Sequence, residues 1–330
     1  MTQGATPGGC AIDSIRIAGR PLMASVVVAA LVVCSLLLSA PGFAAGRILV
    51  ISSGNEGIHA ETLAALRRTL AAAPAAVDIE TRLSTADSPA EALPPADLVI
   101  TIGSRAAQTA TALDPPAPLL HVLLSQQAFA ALPARPSMLP RTAIVLDQPV
   151  ERQLGLVRLA LPDYDRIALI ASPDSAQLAK AIEQGAQAHA LSVSSAVIED
   201  DRGLYTALRT TMAEPAVLIT VPDPRIYHMH TAHNVLLTAF RLRSPVLGYS
   251  AAFVRAGAVI GLYTTPDQVG TEAATLALHT LAGAALPPPA RPGLYEVEVN
   301  TTVARSLGLD LPSAEALHRG LKAIEAGNVP

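Results

Sequence analysis

The chain has 330 residues, 51% of them hydrophobic and only 15% charged, with 27 prolines, 21 glycines, no tryptophan and a formal charge of −4. That length allows two domains of ordinary size, each with its own core. The nearly balanced charge, with no long run of one sign, excludes a basic nucleic-acid surface.

The first 45 residues differ from the rest. Arg16 and Arg20 lead into an uncharged apolar run from Leu22 to Ala40, and Pro41-Gly42-Phe43-Ala44 offers small residues at the −3 and −1 positions of a cut after Ala44. This pattern reads as a Sec signal peptide and predicts export to the periplasm. An uncleaved inner-membrane anchor is the rival reading, because the run is just long enough to span a bilayer. Both cysteines, Cys10 and Cys34, fall in this leader, so disulfides, thiolate metal sites and cysteine nucleophiles are excluded from the remainder.

After the leader, short apolar runs alternate with alanine-rich stretches of helical spacing, the sign of an α/β fold with parallel sheets and crossover helices. Strands are predicted over 47–51, 97–102, 119–124, 166–170, 193–198, 216–221, 245–249 and 258–263. Helices are predicted over 58–72, 105–112, 150–160, 176–190, 205–213, 228–241 and 266–281. In the first of these helices Leu63, Leu66 and Leu70 recur at three- and four-residue spacing and define one core face.

The chain also repeats itself. Arg47 to Ser53 aligns with Arg166 to Ser172, and Leu98 to Ile102 with Val217 to Val221, both at an offset of 119. His121 to Ser125 aligns with Val246 to Ser250 at 125, as one loop insertion would produce. Generic buried strands can match in this way, but the order of the three pairs favours two lobes of the same α/β kind.

In open parallel sheets, ligands bind beyond the carboxyl ends of the strands, where helix N-termini present unpaired N–H groups. Here those ends are rich in small polar residues. Ser53 and Gly54 follow the first strand, and Gly103, Ser104 and Arg105 follow the second, where a carboxylate could rest on backbone N–H groups beside the guanidinium. Ser125 and Gln126 follow the third. From the second half come Ser172, Asp174 and Asp223, with aspartates suited either to an amino group or to capping the next helix. Tyr227 and Tyr249 belong to a cluster of scarce aromatic residues and could line a pocket with a flat face and a polar tip.

His228, His230 and His233 suggest a metal, but neither a His-Glu-x-x-His pattern nor a cysteine completes a ligand set, and a polar helix start is the preferred reading. No Gly-x-Ser-x-Gly elbow, Walker loop or Gly-x-Gly-x-x-Gly is present. No cofactor, metal or catalytic residue is therefore expected.

The order of motifs near the carboxyl end resembles the ABC transporter substrate-binding proteins of the tryptophan/tyrosine-type family. Ser244-Pro245-Val246-Leu247-Gly248-Tyr249 is followed by Val254-Arg255-Ala256-Gly257-Ala258 and by Thr265-Pro266-Asp267-Gln268-Val269-Gly270 with a helix to Gly283. Tyr295 to Asn300 and Ala304 to Pro312 resemble that family's closing strand and helix. The resemblance implies type I periplasmic binding protein architecture, two Rossmann-like lobes joined by three crossing segments with a ligand cleft between them. On that basis the amino lobe is expected at 46–147 plus 266–284, the carboxyl lobe at 148–265 plus 285–313, and a tail at 314–330. The resemblance also implies a non-enzymatic, monomeric binder of a small organic ligand, an amino acid or related anionic compound. Such a protein would close about a hinge and present its ligand to an inner-membrane ABC permease. A membrane sensor as partner, or a two-lobed α/β enzyme, are the alternatives.

Overall fold

A computed structural model of the protein describes residues 46–84 and 93–327. The leader, with its signal-peptide and anchor readings, lies outside the described residues, as does the end of the chain beyond 327. Among the described residues no helix is long and apolar enough to cross a membrane.

The first half builds a five-stranded sheet. Its strands are β1 (Gly46–Ser52), β2 (Val77–Leu83), β3 (Leu98–Ile102), β4 (Leu119–Leu124) and β5 (Arg141–Val145), all parallel, in the order β2-β1-β3-β4-β5. Every residue of β3 and β4 is buried, as continuous apolar runs in a sheet covered on both faces require. The covering helices are α1 (Gly57–Ala71) and α2 (Ser104–Leu113), with the short α3 (Gln126–Ala130) after β4. Leu66 and Leu70 of α1 enter the core on one face of the sheet, and Ala106 and Ala110 of α2 enter it on the other.

The second half builds a six-stranded sheet from β6 (Arg166–Ala171), β7 (Ser192–Val197), β8 (Val217–Ile219), β9 (Val246–Gly248), β10 (Ile260–Tyr263) and β11 (Glu296–Val299). Its order is β11-β10-β9-β8-β6-β7, parallel except for the β10–β11 pair. Helices α4 (Val150–Ala160), α5 (Ala176–Ala186), α6 (Leu204–Thr211), α7 (Ala232–Arg241) and α8 (Ala251–Ala256) belong to this half. They share one large core with it, in which Leu154, Ile182, Leu208, Val235 and Phe253 meet the sheet.

The repeat read from the sequence is a repeat of sheet positions. The order β2-β1-β3-β4-β5 in one sheet corresponds to β7-β6-β8-β9-β10 in the other, so the paired segments occupy matching strands: β1 with β6, β3 with β8, β4 with β9. Fully buried strands were readable because both faces are apolar. Strands β2 and β5 were missed: β2 alternates charged and apolar residues at the sheet edge, and β5 is a short run opening with Arg141.

Helix α9 (Pro266–Leu281) returns to the first half after β10 and packs on α1. It starts where Thr265-Pro266 predicted, with a capping box between Thr265 and Gln268 and proline in the first turn. Its close approach to α1 requires Gly270, where a Cβ would lie 2.4 Å from the Thr62 carbonyl oxygen. The chain then runs beside β5, with a bridge between Ile144 and Ala290, and crosses again to β11 and α10 (Thr301–Leu307).

Residues expected as a tail instead form α11 (Ala314–Glu325), which buries Leu317 and Leu321 against α4. Nothing in its local sequence says which surface covers it. The histidine stretch also differs from expectation. Residues 228–231 are turns, held by the Thr231 hydroxyl donating to the Ile226 carbonyl, and α7 begins only at Ala232. His230 and His233 therefore do not share one helical face.

Candidate functional site

The carboxyl ends of the two sheets meet at a cavity of about 220 Å³. Ser125, Gln126, Gln127 and Asp147 wall it from the first half, and Asp174, Ser175, Gln177, Leu178 and Pro222 from the second. Arg291, in the proline-rich return to β11, completes the rim. A smaller extension of about 20 Å³ reaches inward past Asp147, Leu178 and Pro222 to Thr220, Gly248 and Tyr249.

On the first-half wall, β4 carries a bulge against β5 at Leu123, whose φ of +56° is a left-handed conformation that costs a branched side chain about 1–2 kcal/mol. The bulge immediately precedes Ser125, whose hydroxyl oxygen accepts the Ala128 N–H at 3.1 Å and caps α3. The Gln126 N–H donates to Asp147 Oδ2 at 2.6 Å. Asp147 is only 6% exposed. Burial pushes its carboxyl above the usual aspartate range, against the opposing pull of the Gln126 hydrogen bond and the Arg291 charge. Arg291 itself is exposed and reaches Gln126 Oε1 at 3.4 Å.

The second-half wall is a closed network built on Asp223. Its Oδ2 accepts from the Ser172 N–H at 2.9 Å and the Ser175 hydroxyl at 2.5 Å, and its Oδ1 from the Arg225 N–H at 3.0 Å. Burial opposes ionisation of Asp223, but these hydrogen bonds outweigh it and hold the carboxyl below its ordinary range. Asp174 pairs with Arg225 at 2.6 Å. Tyr227 is buried and donates to the Ile170 carbonyl at 3.0 Å, and Tyr249 donates to the Tyr227 carbonyl at 3.1 Å. Burial, aided by the Asp223 charge, pushes the Tyr249 hydroxyl up to about 12, so it remains a donor throughout the neutral range.

Of the residues singled out from sequence, the structure brings Ser125, Gln126 and Asp174 to the cavity wall and Tyr249 to its inner extension. Ser172, Asp223 and Tyr227 lie behind the wall and position it through the bonds just described. Ser53, Gly54, Gly103, Ser104 and Arg105 gather elsewhere, around His59. Ser53 Oγ accepts the Ala106 N–H at 2.9 Å, and the missing side chains of Gly54 and Gly103 leave room for the His59 ring. Burial and then the Arg105 charge lower the pKa of His59. None of this group lines the cavity.

Sequence reasoning missed Asp147, Gln177 and Arg291, while Ser175 stood in the strand-end run with Ser172 and Asp174. Asp147 follows the missed strand β5, so the rule that led to the other strand ends would have found it.

The three crossing segments are bonded to one another beside the cavity. The Gln148 amide donates to Thr264 Oγ1 at 2.9 Å, and the Thr264 hydroxyl donates to the Leu294 carbonyl at 2.8 Å. Arg152 donates to Gln148 Oε1 at 2.8 Å and to the Pro292 carbonyl at 3.1 Å, while its guanidinium lies 3.9 Å from the centre of the Tyr295 ring. Away from this region, His228 Nε2 stands 3.4 Å from Asp201, and the His230 N–H donates to His228 Nδ1 at 3.3 Å. Among the described residues no three His, Cys, Asp or Glu side chains are grouped to hold a metal ion.

A sequence model described as ABC transporter substrate binding protein matches residues 94–314. Among solved structures, the chain is similar to an ABC domain in complex with L-Trp from Streptococcus pneumonia, at 16% identity over 84% of this chain and 98% of that one, with a TM-score of 0.60. A conserved domain protein from Vibrio cholerae matches at 18% identity over 83% and 97% of the two chains, with a TM-score of 0.60. A ligand-free, open substrate-binding protein with adhesive properties from Clostridium difficile matches at 19% identity over 82% and 97%, with a TM-score of 0.66. No curated protein is similar to the chain at a significant level. At these identities the solved structures speak to the fold.

Proposed function

The chain belongs to the ABC transporter substrate-binding protein family and has the type I periplasmic binding protein fold, and from that premise we propose that it is the periplasmic receptor of an uptake system. In this reading it captures one small organic ligand, an amino acid or a related compound, and presents it to an inner-membrane ABC permease as a monomer. The observation that carries the proposal is the cavity at the strand ends, walled by polar groups of both halves and rimmed by a crossing segment. A concave site with a few convergent polar groups, placed between two sheets, is suited to burying a ligand without chemistry. The family and the solved relatives are binding proteins rather than enzymes.

Ligand contacts are assigned to Ser125, Gln126, Asp147, Asp174, Ser175, Gln177 and Arg291, with Tyr249 at the inner end. The bonded crossings at Gln148, Thr264 and Leu294 serve as the hinge, where small backbone rotations would swing the lobes together over the ligand. Lobe boundaries at 147 and 265 coincide with those crossings in this reading.

Native mass spectrometry of the exported protein, followed by denaturation and identification of what is released, tests the proposal. One equivalent of a small organic compound is the expected result. A protein that releases nothing and shows no thermal shift across a broad metabolite panel would remove solute capture as its function.

A further inference from the structure

We propose that Glu272 and Arg152 are paired positioning residues that grip the third crossing segment from opposite halves, on either side of Gly293, and so set how far the halves open and where Arg291 stands at the cavity rim. This rests on the hinge reading above and adds to it two residues that line neither the cavity nor its extension. Arg152 belongs to the second half, on α4, whose Leu154 and Leu156 enter that half's core. Its side chain is buried, donates to the Pro292 carbonyl at 3.1 Å and is itself held by Glu325 of α11 at 2.5 Å. Glu272 belongs to the first half, on α9, whose Val269, Ala273 and Ala277 pack into the core of the first sheet. Its Oε1 accepts the Leu294 N–H at 2.5 Å. The crossing thus passes from a bond with the second half at Pro292 to a bond with the first at Leu294. Between them stands Gly293, where a Cβ would lie 3.2 Å from Glu272 Oε1, closer than ordinary contact. The missing side chain lets the carboxylate reach the backbone.

Burial pushes the Glu272 carboxyl up, against the opposing pull of the Leu294 and Gly293 N–H groups and of the Arg152 and Lys322 charges. Hydrogen bonds to an ionised group are the stronger kind, so both grips are firm: a guanidinium on a carbonyl at Pro292 and a carboxylate on an N–H at Leu294. One turn earlier on α9, Gln268 Nε2 donates to Glu296 Oε1 at 2.7 Å, a second tie from the first half to β11. Hinge motion turns the crossings, and any rotation of one half against the other works against the grip at Pro292 or the grip at Leu294. Arg291 immediately precedes Pro292, so the same pair of bonds fixes its place on the rim.

The test reads the opening of the ligand-free protein, so its outcome is independent of whether a ligand is captured. Cys10 and Cys34 are replaced by serine, and spin labels are attached at Gln108→Cys on α2 and Thr206→Cys on α6, one exposed position in each half. Distances between the labels are measured by double electron–electron resonance in this parent and in variants of it. Glu272→Ala is expected to widen the distance distribution about twofold, because the halves lose one of the two grips. Glu272→Gln, which keeps an oxygen to accept from Leu294, should restore most of the narrow distribution. Thr275→Ala, on the exposed face of the same helix, should leave it unchanged. An unchanged distribution in Glu272→Ala overturns the proposal, as does equal widening in the Gln or the Thr275 variant. Gly293→Ala reaches the same bond from the other side, its Cβ pressing on the carboxylate. Alone it should widen the distribution, and added to Glu272→Ala it should widen it no further, since the bond is already gone. Additive widening overturns the proposal. Should Glu272→Ala fail to fold, Gly293→Ala decides by itself, and an unchanged distribution there overturns the proposal.

Discussion

At one strand end of the second sheet the polar group is already spoken for, whereas its counterpart in the first sheet is left exposed. The offset of 119 pairs Asp223 with Ser104. Asp223 is buried and serves donors from Ser172, Ser175 and Arg225, while Ser104 is exposed at the start of α2. The offset of 125 pairs buried Val246 of β9 with buried His121 of β4, whose Nε2 has no hydrogen-bond partner among the described residues. One duplicated framework thus carries an internally satisfied strand end in one half and an exposed counterpart in the other.

The sharpest way to break this contrast is at the first pair. Asp223→Ala leaves the Ser172 N–H, the Ser175 hydroxyl and the Arg225 N–H without their acceptor in a buried site, and the expected loss is about 4 kcal/mol. Ser104→Ala at the matching position should cost less than about 0.5 kcal/mol, as exposed positions do. Urea unfolding of the two variants measures both. Equal losses would mean that the two strand ends are structurally equivalent and the contrast empty.

The second pair predicts an asymmetry in acid. His121 is fully buried, its Nδ1 is 2.7 Å from the Thr101 hydroxyl, and burial, with the Arg141 and Arg135 charges, lowers its pKa to about 4. The folded state therefore keeps the ring neutral where the unfolded chain, near 6.5, takes up a proton. Its stabilising contribution is complete above pH 6.5 and is lost as pH falls toward about 4, amounting to about 3 kcal/mol. His121→Val, which copies the residue of the second sheet, should flatten the fall of the urea midpoint between pH 7.5 and 4.5. Comparing wild type with the variant isolates this residue from the carboxylates that titrate alongside it. An unchanged fall would assign the acid sensitivity elsewhere.

These pairs also show what was legible beforehand and why. Strands β1, β3, β4, β6, β8 and β9 are buried on both faces, so their sequences are continuous apolar runs, and two of the helices were predicted with the bounds observed: α4 from its apolar spacing and α9 from Thr265-Pro266 onward. Strand β2 and helix α11 were not recognised as such because partial exposure and tertiary docking, rather than local pattern, decide them. At the site, strand-end position identified Ser125, Gln126 and Asp174, but it could not rank one strand end against another. Which ends face the opposing half depends on how α9 and the crossings fold back, and that is set by long-range contacts such as Gly270 against Thr62. Asp147 was lost with β5, a strand too short and too polar at its start to stand out.

A last pair sharpens the comparison from the opposite side, where the two halves do the same thing. Ser125 and Ser250, equivalent at an offset of 125, each cap a short helix: Ser125 accepts the Ala128 N–H at 3.1 Å, and Ser250 the Phe253 N–H at 3.4 Å. Replacing an N-cap serine by alanine costs about 1 kcal/mol, so Ser125→Ala and Ser250→Ala should lower stability by similar amounts. Ligand binding should separate them. Ser125 lines the cavity and Ser250 does not, so the first variant is expected to weaken binding of the released compound and the second to leave it unchanged. Equal stability losses with unequal binding would mark a shared structural role onto which the first half has added recognition. Equal binding in both variants would confine Ser125 to its cap and move the ligand inward, toward Asp147 and Tyr249.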